Sequence, residues 1–458
     1  MIFRFCAIVP LLLLYSAVSC QDVTVYQFLQ DDSLLKQQYL NTTLKKKDQL
    51  LASVGKEYAK DYKEIYKRQF ASIGEIWSSG RPVTATRAHQ YLQSIVKKVM
   101  DGNPELKDND ARVVFTRDWW PNAASMGDGT IIINAGLVTG LDNEAEIAFV
   151  VCHELAHYYL EHTPKSIAKW VKLQNSEEFK AEVKRLSKEQ YRVNAQLNEL
   201  LKGISFDTRS HSRDNEIEAD RYAFHFLKNS GYDCEGMNSC LDKLDKIDDN
   251  LFIAPVNLER VFNFTSYPFN QKWIREETAI FSAMKTGDTE LTQAQKDSLK
   301  THPDCSHRKA MVADSILAVK GRGKNFQVDS LYLQTLKQEF TLEIMEQSYR
   351  DENLGRNLYF AITYLNTHPD DPLAVYSIAR ALNDLYMVQR DHKLGYTIDS
   401  EKRSNPPEYN KLLRMLSKIR LGELSELAWN FAKQHEPFMK TYPGYLELVE
   451  TARSNRQP

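Results

Sequence analysis

His153-Glu154-Leu155-Ala156-His157 carries residues whose types and spacing suit metal-assisted hydrolysis. On a helix, residues four apart stand on one face, so the two imidazoles can converge on a single ion. Glu154, one position along, can reach a water held there and act as general base. A hydrolytic zinc site generally takes a third protein ligand and leaves a position open. Glu216-Ile217-Glu218-Ala219-Asp220 can supply that ligand. Glu216 and Asp220 share a helical face, so Glu216 can bind the ion while Asp220 accepts a hydrogen bond from a ligand histidine. By the same spacing Glu218 points elsewhere. Two packed histidines and a solvated acidic helix are the ordinary alternative for the separate segments, but their co-occurrence favours one Zn2+ per chain.

Both segments need helices beneath them. Asn143 and Glu146 have capping-box spacing ahead of an apolar run from Ile147 to Tyr159, which Pro164 is expected to close. A second helix is expected from Glu216 to Leu227, before Gly231. Arg112 to Thr116 reads as a strand, and Thr130 to Asn134 as another after the turn residues Gly127-Asp128-Gly129. From Asp31 to Trp77 the composition favours helix with a solvated charged face, and another helix is expected after Pro82 through Met100. Lys165 to Lys202 reads as a long charged surface helix, and helical composition resumes from Glu276 to Lys285. Gly321-Arg322-Gly323 looks like a boundary, beyond which residues 330–458 suggest helical hairpins punctuated by prolines.

A chain of 458 residues has room for two or three domains. Its 61 acidic and 59 basic residues nearly cancel, which leaves no field to attract nucleic acid. Arg4, the apolar run from Phe5 to Leu14 and the small residues Ser16, Ala17 and Ser19 read as an export signal. Ala17-Val18-Ser19-Cys20 resembles a bacterial lipoprotein signal, which implies a lipid on Cys20; ordinary cleavage nearby is the alternative. Membrane contact is then expected only through that lipid. Export implies an oxidising compartment, where Cys234 and Cys240 are near enough in sequence to pair or can remain free buried thiols.

HExxH followed by ExxAD resembles the HtpX/BepA-like zinc metallopeptidase family, which also contains the CAAX prenyl proteases. The likeness covers much of residues 110–310. Asn122-Ala123-Ala124 and the stretch from Gly129 to Leu137 are similar to the family's turn and cleft-edge strand, although Ser125-Met126 departs from its Pro-Gly composition. The resemblance implies that Ile131, Ile132 and Ile133 lie where substrate backbone adds as a strand; a buried strand is the plain alternative. Thr301-His302-Pro303-Asp304 with Arg308 resembles the family's THP segment. It implies that His302 enters the cleft, as an oxyanion stabiliser or a reversible zinc latch, and that Arg308 positions substrate or the loop. His162 fits a histidine that often follows HExxH in the family, but five residues from His157 it is expected off the zinc-facing side. Arg213 is expected to be structural.

Phe360-Ala361-Ile362 through Pro372, then Ala374, Tyr376, Ala379 and Tyr386, resembles a junction between tetratricopeptide repeats. The expected fold is α+β and mainly helical: a zincin-like metallopeptidase domain with a small sheet, plus a C-terminal repeat-like helical domain. Expected divisions are a signal at 1–20, a helical segment at 21–80, the peptidase at 81–320 and the tail at 326–458. The expected activity is zinc-dependent endopeptidase in the bacterial envelope, in the periplasm or as a membrane-anchored lipoprotein, the outer membrane being favoured, with secretion as the alternative. Its partners would be misfolded or stalled envelope proteins, met in part through the C-terminal helices. A chaperone-like client binder with a latched or structural zinc site is the rival.

Overall fold

A computed structural model describes residues 23–186, 213–276, 305–402 and 405–456. They form a mainly helical α+β protein with one small mixed sheet. The sheet contains β1 (Pro82–Val83), β2 (Arg112–Thr116), β3 (Ala123–Ser125) and β4 (Thr130–Asn134), in the order β1-β2-β4-β3. Strands β2 and β4 run parallel, with Val113 opposite Ile131 and Phe115 opposite Ile133. Side chains alternate between the two faces of a strand. Val113, Phe115, Ile131 and Ile133 therefore enter the main core, while Val114 and Ile132 meet Ile73 and Trp77 on the opposite face.

The strand order corrects one expectation. Strand β4 is flanked by β2 on one side and β3 on the other, so Ile131, Ile132 and Ile133 do not lie on an open edge. That edge belongs to β3. Its Ala-Ala-Ser composition is short and weakly strand-forming, which hid it from the sequence pattern.

The main helices before and around the sheet are α1 (Ser33–Ser53), α2 (Ala59–Ser78), α3 (Thr86–Gly102), α4 (Glu144–Tyr159), α5 (His162–Asn175) and α6 (Glu177–Leu186). Residues 213–229 form α7, followed by α8 (Glu235–Asn250) and α9 (Cys305–Leu317). The expected run from Asp31 to Trp77 is broken between α1 and α2, where Tyr58 adopts a left-handed backbone at φ 52°. Tyr66, Phe70, Ile73 and Trp77 bury one face of α2, so only part of this hairpin is solvated. The turn between β3 and β4 is pinned by Asp128, which accepts hydrogen bonds from Arg112 Nη2 at 2.6 Å and Thr43 Oγ1 at 2.8 Å. Gly127 and Gly129 flank it with φ near 84° and 88°, a conformation that glycine adopts without strain.

Among the described residues six longer helices follow: α10 (Ser330–Arg350), α11 (Leu354–Tyr364), α12 (Pro372–Arg390), α13 (Pro407–Lys418), α14 (Leu421–Met439) and α15 (Tyr445–Asn455). Asp371 caps α12 through the Ala374 amide at 3.0 Å, and Pro372 occupies the first turn, where no amide is needed. Packing does not follow the expected division at residues 321–326. Val256, Phe262, Phe269 and Trp273 pack with α11–α15 in a second core, although they fall within the expected peptidase span. Conversely Leu333, Leu336 and Phe340 of α10 join the peptidase core. The Gly321-Arg322-Gly323 segment is a packed turn rather than a linker, since a Cβ on Gly323 would lie 2.2 Å from the Tyr232 carbonyl oxygen. Among the described residues no helix is long and apolar enough to cross a membrane.

Candidate metal centre

Helix α4 runs through the middle of the first core, with every side chain from Glu144 to Ala156 buried. Such a helix is expected to be apolar around its whole circumference, so its polar exceptions carry information. Asn143 caps it through the Glu146 amide at 3.1 Å. Glu146 does not complete the expected box; its carboxylate accepts from the Asp142 amide and pairs with Lys243. The buried Glu144 carboxylate accepts the backbone amides of Gln327, Val328 and Asp329, tying the start of α4 to the approach to α10. Pro164 does not end α4. The helix stops at Tyr159, Glu161 turns the chain with φ 54°, and Pro164 lies in the first turn of α5. First-turn amides have no intrahelical acceptor, which makes proline acceptable there.

On α4, His153 and His157 bring their Nε2 atoms to 3.1 Å from each other. Helix α7 brings Glu216 against both: Oε2 is 3.3 Å from His153 Nε2 and Oε1 is 3.3 Å from His157 Nε2. One donor atom from each of these three residues lies within 4.8 Å of the others, so the set can hold a metal ion. Two imidazole nitrogens and a carboxylate oxygen suit zinc with a position left for water or substrate. Glu154 is buried at 6% exposure, and among the described residues its carboxylate has no hydrogen-bonding partner. A cavity of about 420 Å³ opens beside His157, lined in part by Asp110, Gly127, Tyr158 and Glu161.

Behind His153, Asp220 Oδ1 lies 2.9 Å from Nδ1. Arg308 grips the same carboxylate through Nε at 2.6 Å and Nη2 at 2.8 Å, while its Nη1 lies 3.2 Å from Glu216. This corrects the expectation of a substrate-facing arginine. Arg308 is only 2% exposed and braces the acidic helix from behind. A planar guanidinium makes such a bidentate clamp well. Behind His157 stands a different arrangement: His162 Nδ1 is 2.8 Å from His157 Nδ1, and His162 Nε2 is 3.2 Å from Glu218 Oε2. Helical spacing, counted on from His157 and from Glu216, puts His162 and Glu218 away from the site. The turn at Glu161 brings His162 back, where the family resemblance, but not helical spacing, singles it out.

The electrostatics agree with the geometry. Burial disfavours charge on His153, but hydrogen bonds to Asp220 and Glu216 outweigh it and push the ring up to about 10. Burial would raise Glu216, yet His153, His157 and Arg308 hold it well below the usual carboxylate range. Asp220 is likewise lowered against burial by Arg308 and His153. Burial keeps His162 below the ordinary histidine value, with Glu218 opposing. Without metal, a proton on His153 thus offsets part of the charge that a cation would meet. Cys234 and Cys240 are buried free thiols, not a disulfide, and burial pushes Cys234 up to about 11. His302 and Cys20 lie outside the described residues.

Residues 86–316, which are 231 of the 458, match the model of peptidase family M48. The chain belongs to peptidase family M48. As a member of that family it is a metallopeptidase, and the match runs from α3 to α9, taking in β2, β3, β4, α4 and α7. It is also similar to the beta-barrel assembly-enhancing protease of Yersinia pestis, at 28% identity over 27% of this chain and 26% of that one. Metalloprotease YcaL of Escherichia coli (strain K12) is 26% identical over 37% of this chain and 65% of its own length. The chain therefore spans less than two thirds of either relative. Helices α1 and α2 and most of the second core fall outside the M48 match.

Proposed function

We propose that this M48 peptidase is a zinc-dependent endopeptidase of the cell envelope that cleaves misfolded or stalled proteins. The observation that carries the chemistry is the convergence of His153, His157 and Glu216 on one point, with Glu154 on the same helix as the two histidines. Zinc bound there would polarise the scissile carbonyl and make the attacking water more acidic. Glu154 takes the proton of that water and passes it to the departing amine. His153 and His157 present Nε2, and Glu216 supplies the anionic ligand. The open backbone of β3, Ala123–Ser125, is suited to pair with an extended substrate strand. His302 is proposed as the auxiliary group that stabilises the oxyanion or latches the site. The envelope assignment draws on the N-terminal sequence pattern, read as an export signal, and on the name of one relative, the beta-barrel assembly-enhancing protease.

The test is Glu154→Gln in protein loaded with one zinc, offered a chemically unfolded envelope protein. The substitution keeps the side-chain shape and removes the base, so cleavage should fall roughly 100-fold or more while zinc content stays unchanged. Equal cleavage by both proteins would sink the mechanism.

A further inference from the structure

A histidine that binds a cation through Nε2 carries its proton on Nδ1, and the acceptor of that proton fixes the ring. His153 has Asp220 at 2.9 Å for this purpose. Among the described residues His157 reaches no carboxylate on that side; 2.8 Å from its Nδ1 stands another nitrogen, Nδ1 of His162. Two ring nitrogens at that distance must be one donor and one acceptor. If His162 donated, neutral His157 would carry its proton on Nε2, facing Glu216 and unable to bind a metal. His162 would also turn an unprotonated Nε2 toward the Glu218 carboxylate, 3.2 Å away. The opposite assignment satisfies every atom: His157 Nδ1–H donates to His162 Nδ1, and His162 Nε2–H donates to Glu218.

We propose that His162 is a positioning residue for His157, relaying its hydrogen bond to Glu218 and thereby fixing the tautomer that offers Nε2 to a metal. The relay rests on the metallopeptidase reading of His153, His157 and Glu216. It is built by the break after α4. Glu161 at φ 54° reverses the chain so that His162, the first residue of α5, is buried at 5% exposure against the ring it serves. Glu218, two residues beyond the ligand Glu216 on α7, closes the chain of donors from the solvent side, with its side chain 52% exposed.

Zinc affinity, measured by chelator competition on the full chain, tests the relay without reference to catalysis. Loss of an outer hydrogen-bonding partner typically weakens metal binding by about 10–100-fold. His162→Ala should weaken zinc at the lower end of that range. His162→Asn, whose side-chain oxygen can accept from His157 Nδ1–H, should recover most of the loss. A merely structural role would show equal losses in both variants. Long-range proton–nitrogen NMR on zinc-loaded wild type should find the His157 proton on Nδ1 and the His162 proton on Nε2. Wild-type affinity in His162→Ala, a proton on His162 Nδ1, or no rescue by asparagine would each overturn the relay. Any of these would leave the Glu154→Gln test of the activity standing, whereas absence of zinc from wild type would defeat both.

Discussion

The two histidines facing Glu216 are held by opposite means. His153 is backed by a buried carboxylate that is itself clamped by a buried arginine. His157 is backed by a neutral ring that hands its hydrogen bond to a half-exposed glutamate. Burial makes the first arm strong and intolerant, because removing one charge leaves another stranded away from water. Solvent makes the second arm forgiving, since water can replace what Glu218 supplies. The site thus combines one rigid ligand with one that is adjustable from outside.

The sharpest way to break this comparison is Arg308→Leu. Without the guanidinium, Asp220 and Glu216 are two carboxylates in one buried site, and the metal-free protein should lose about 3–5 kcal/mol in a urea unfolding experiment. A loss no greater than that of a surface arginine would show that the clamp contributes little. Asp220→Asn is the next largest. It keeps an acceptor for His153 but removes the charge, and zinc affinity by chelator competition should fall about 10–100-fold.

Acidity separates metal-free from loaded protein. His153 titrates at about 10 in the fold against an ordinary 6.5, so its contribution is complete below 6.5 and is lost as pH rises toward 10. Asp220 and Glu216 are lowered, so their contribution is present above their ordinary values and is lost as acid protonates them in the fold. Metal-free protein should therefore lose stability from pH 6.5 to 10, and zinc-loaded protein should not show that decline, because the ion replaces the proton. Melting curves across that range check it; parallel profiles would refute the exchange. The smallest effect is expected from Glu218→Gln, a few-fold change in zinc affinity, in keeping with an exposed partner. A loss as large as that of Asp220→Asn would erase the distinction between the arms.

Much of this centre is visible in the sequence because helical spacing is a local rule. His153, His157, Glu216 and Asp220 fall where four-residue periodicity puts them, and β2 and β4 span the expected Arg112–Thr116 and Thr130–Asn134, each built around a β-branched run. What escaped depends on breaks and on distant packing. His162 was misplaced because periodicity assumes an unbroken helix, while Glu161 breaks it. Arg308 is expected from the resemblance to position substrate or the loop, because arginine is rarely buried, and only the fold reveals the two carboxylates that make its burial tolerable. The edge strand was assigned to the apolar run of β4 when the true edge, β3, carries almost no pattern. Residues 252–276 fall in the expected peptidase span, but their aromatic side chains suit either core, and the fold puts them in the second.

Helix α10 supplies Leu333, Leu336 and Phe340 to the peptidase core and Leu342 and Met345 to the tail core, while the Glu144 carboxylate holds the backbone just before it. Thermal melting of either half withdraws support from the other, so the two should come apart as one cooperative unit rather than as separable domains. In a calorimeter the zinc-loaded chain should give a single peak. Proteolytic nicking near residue 323 should weaken the whole molecule instead of liberating a working catalytic fragment.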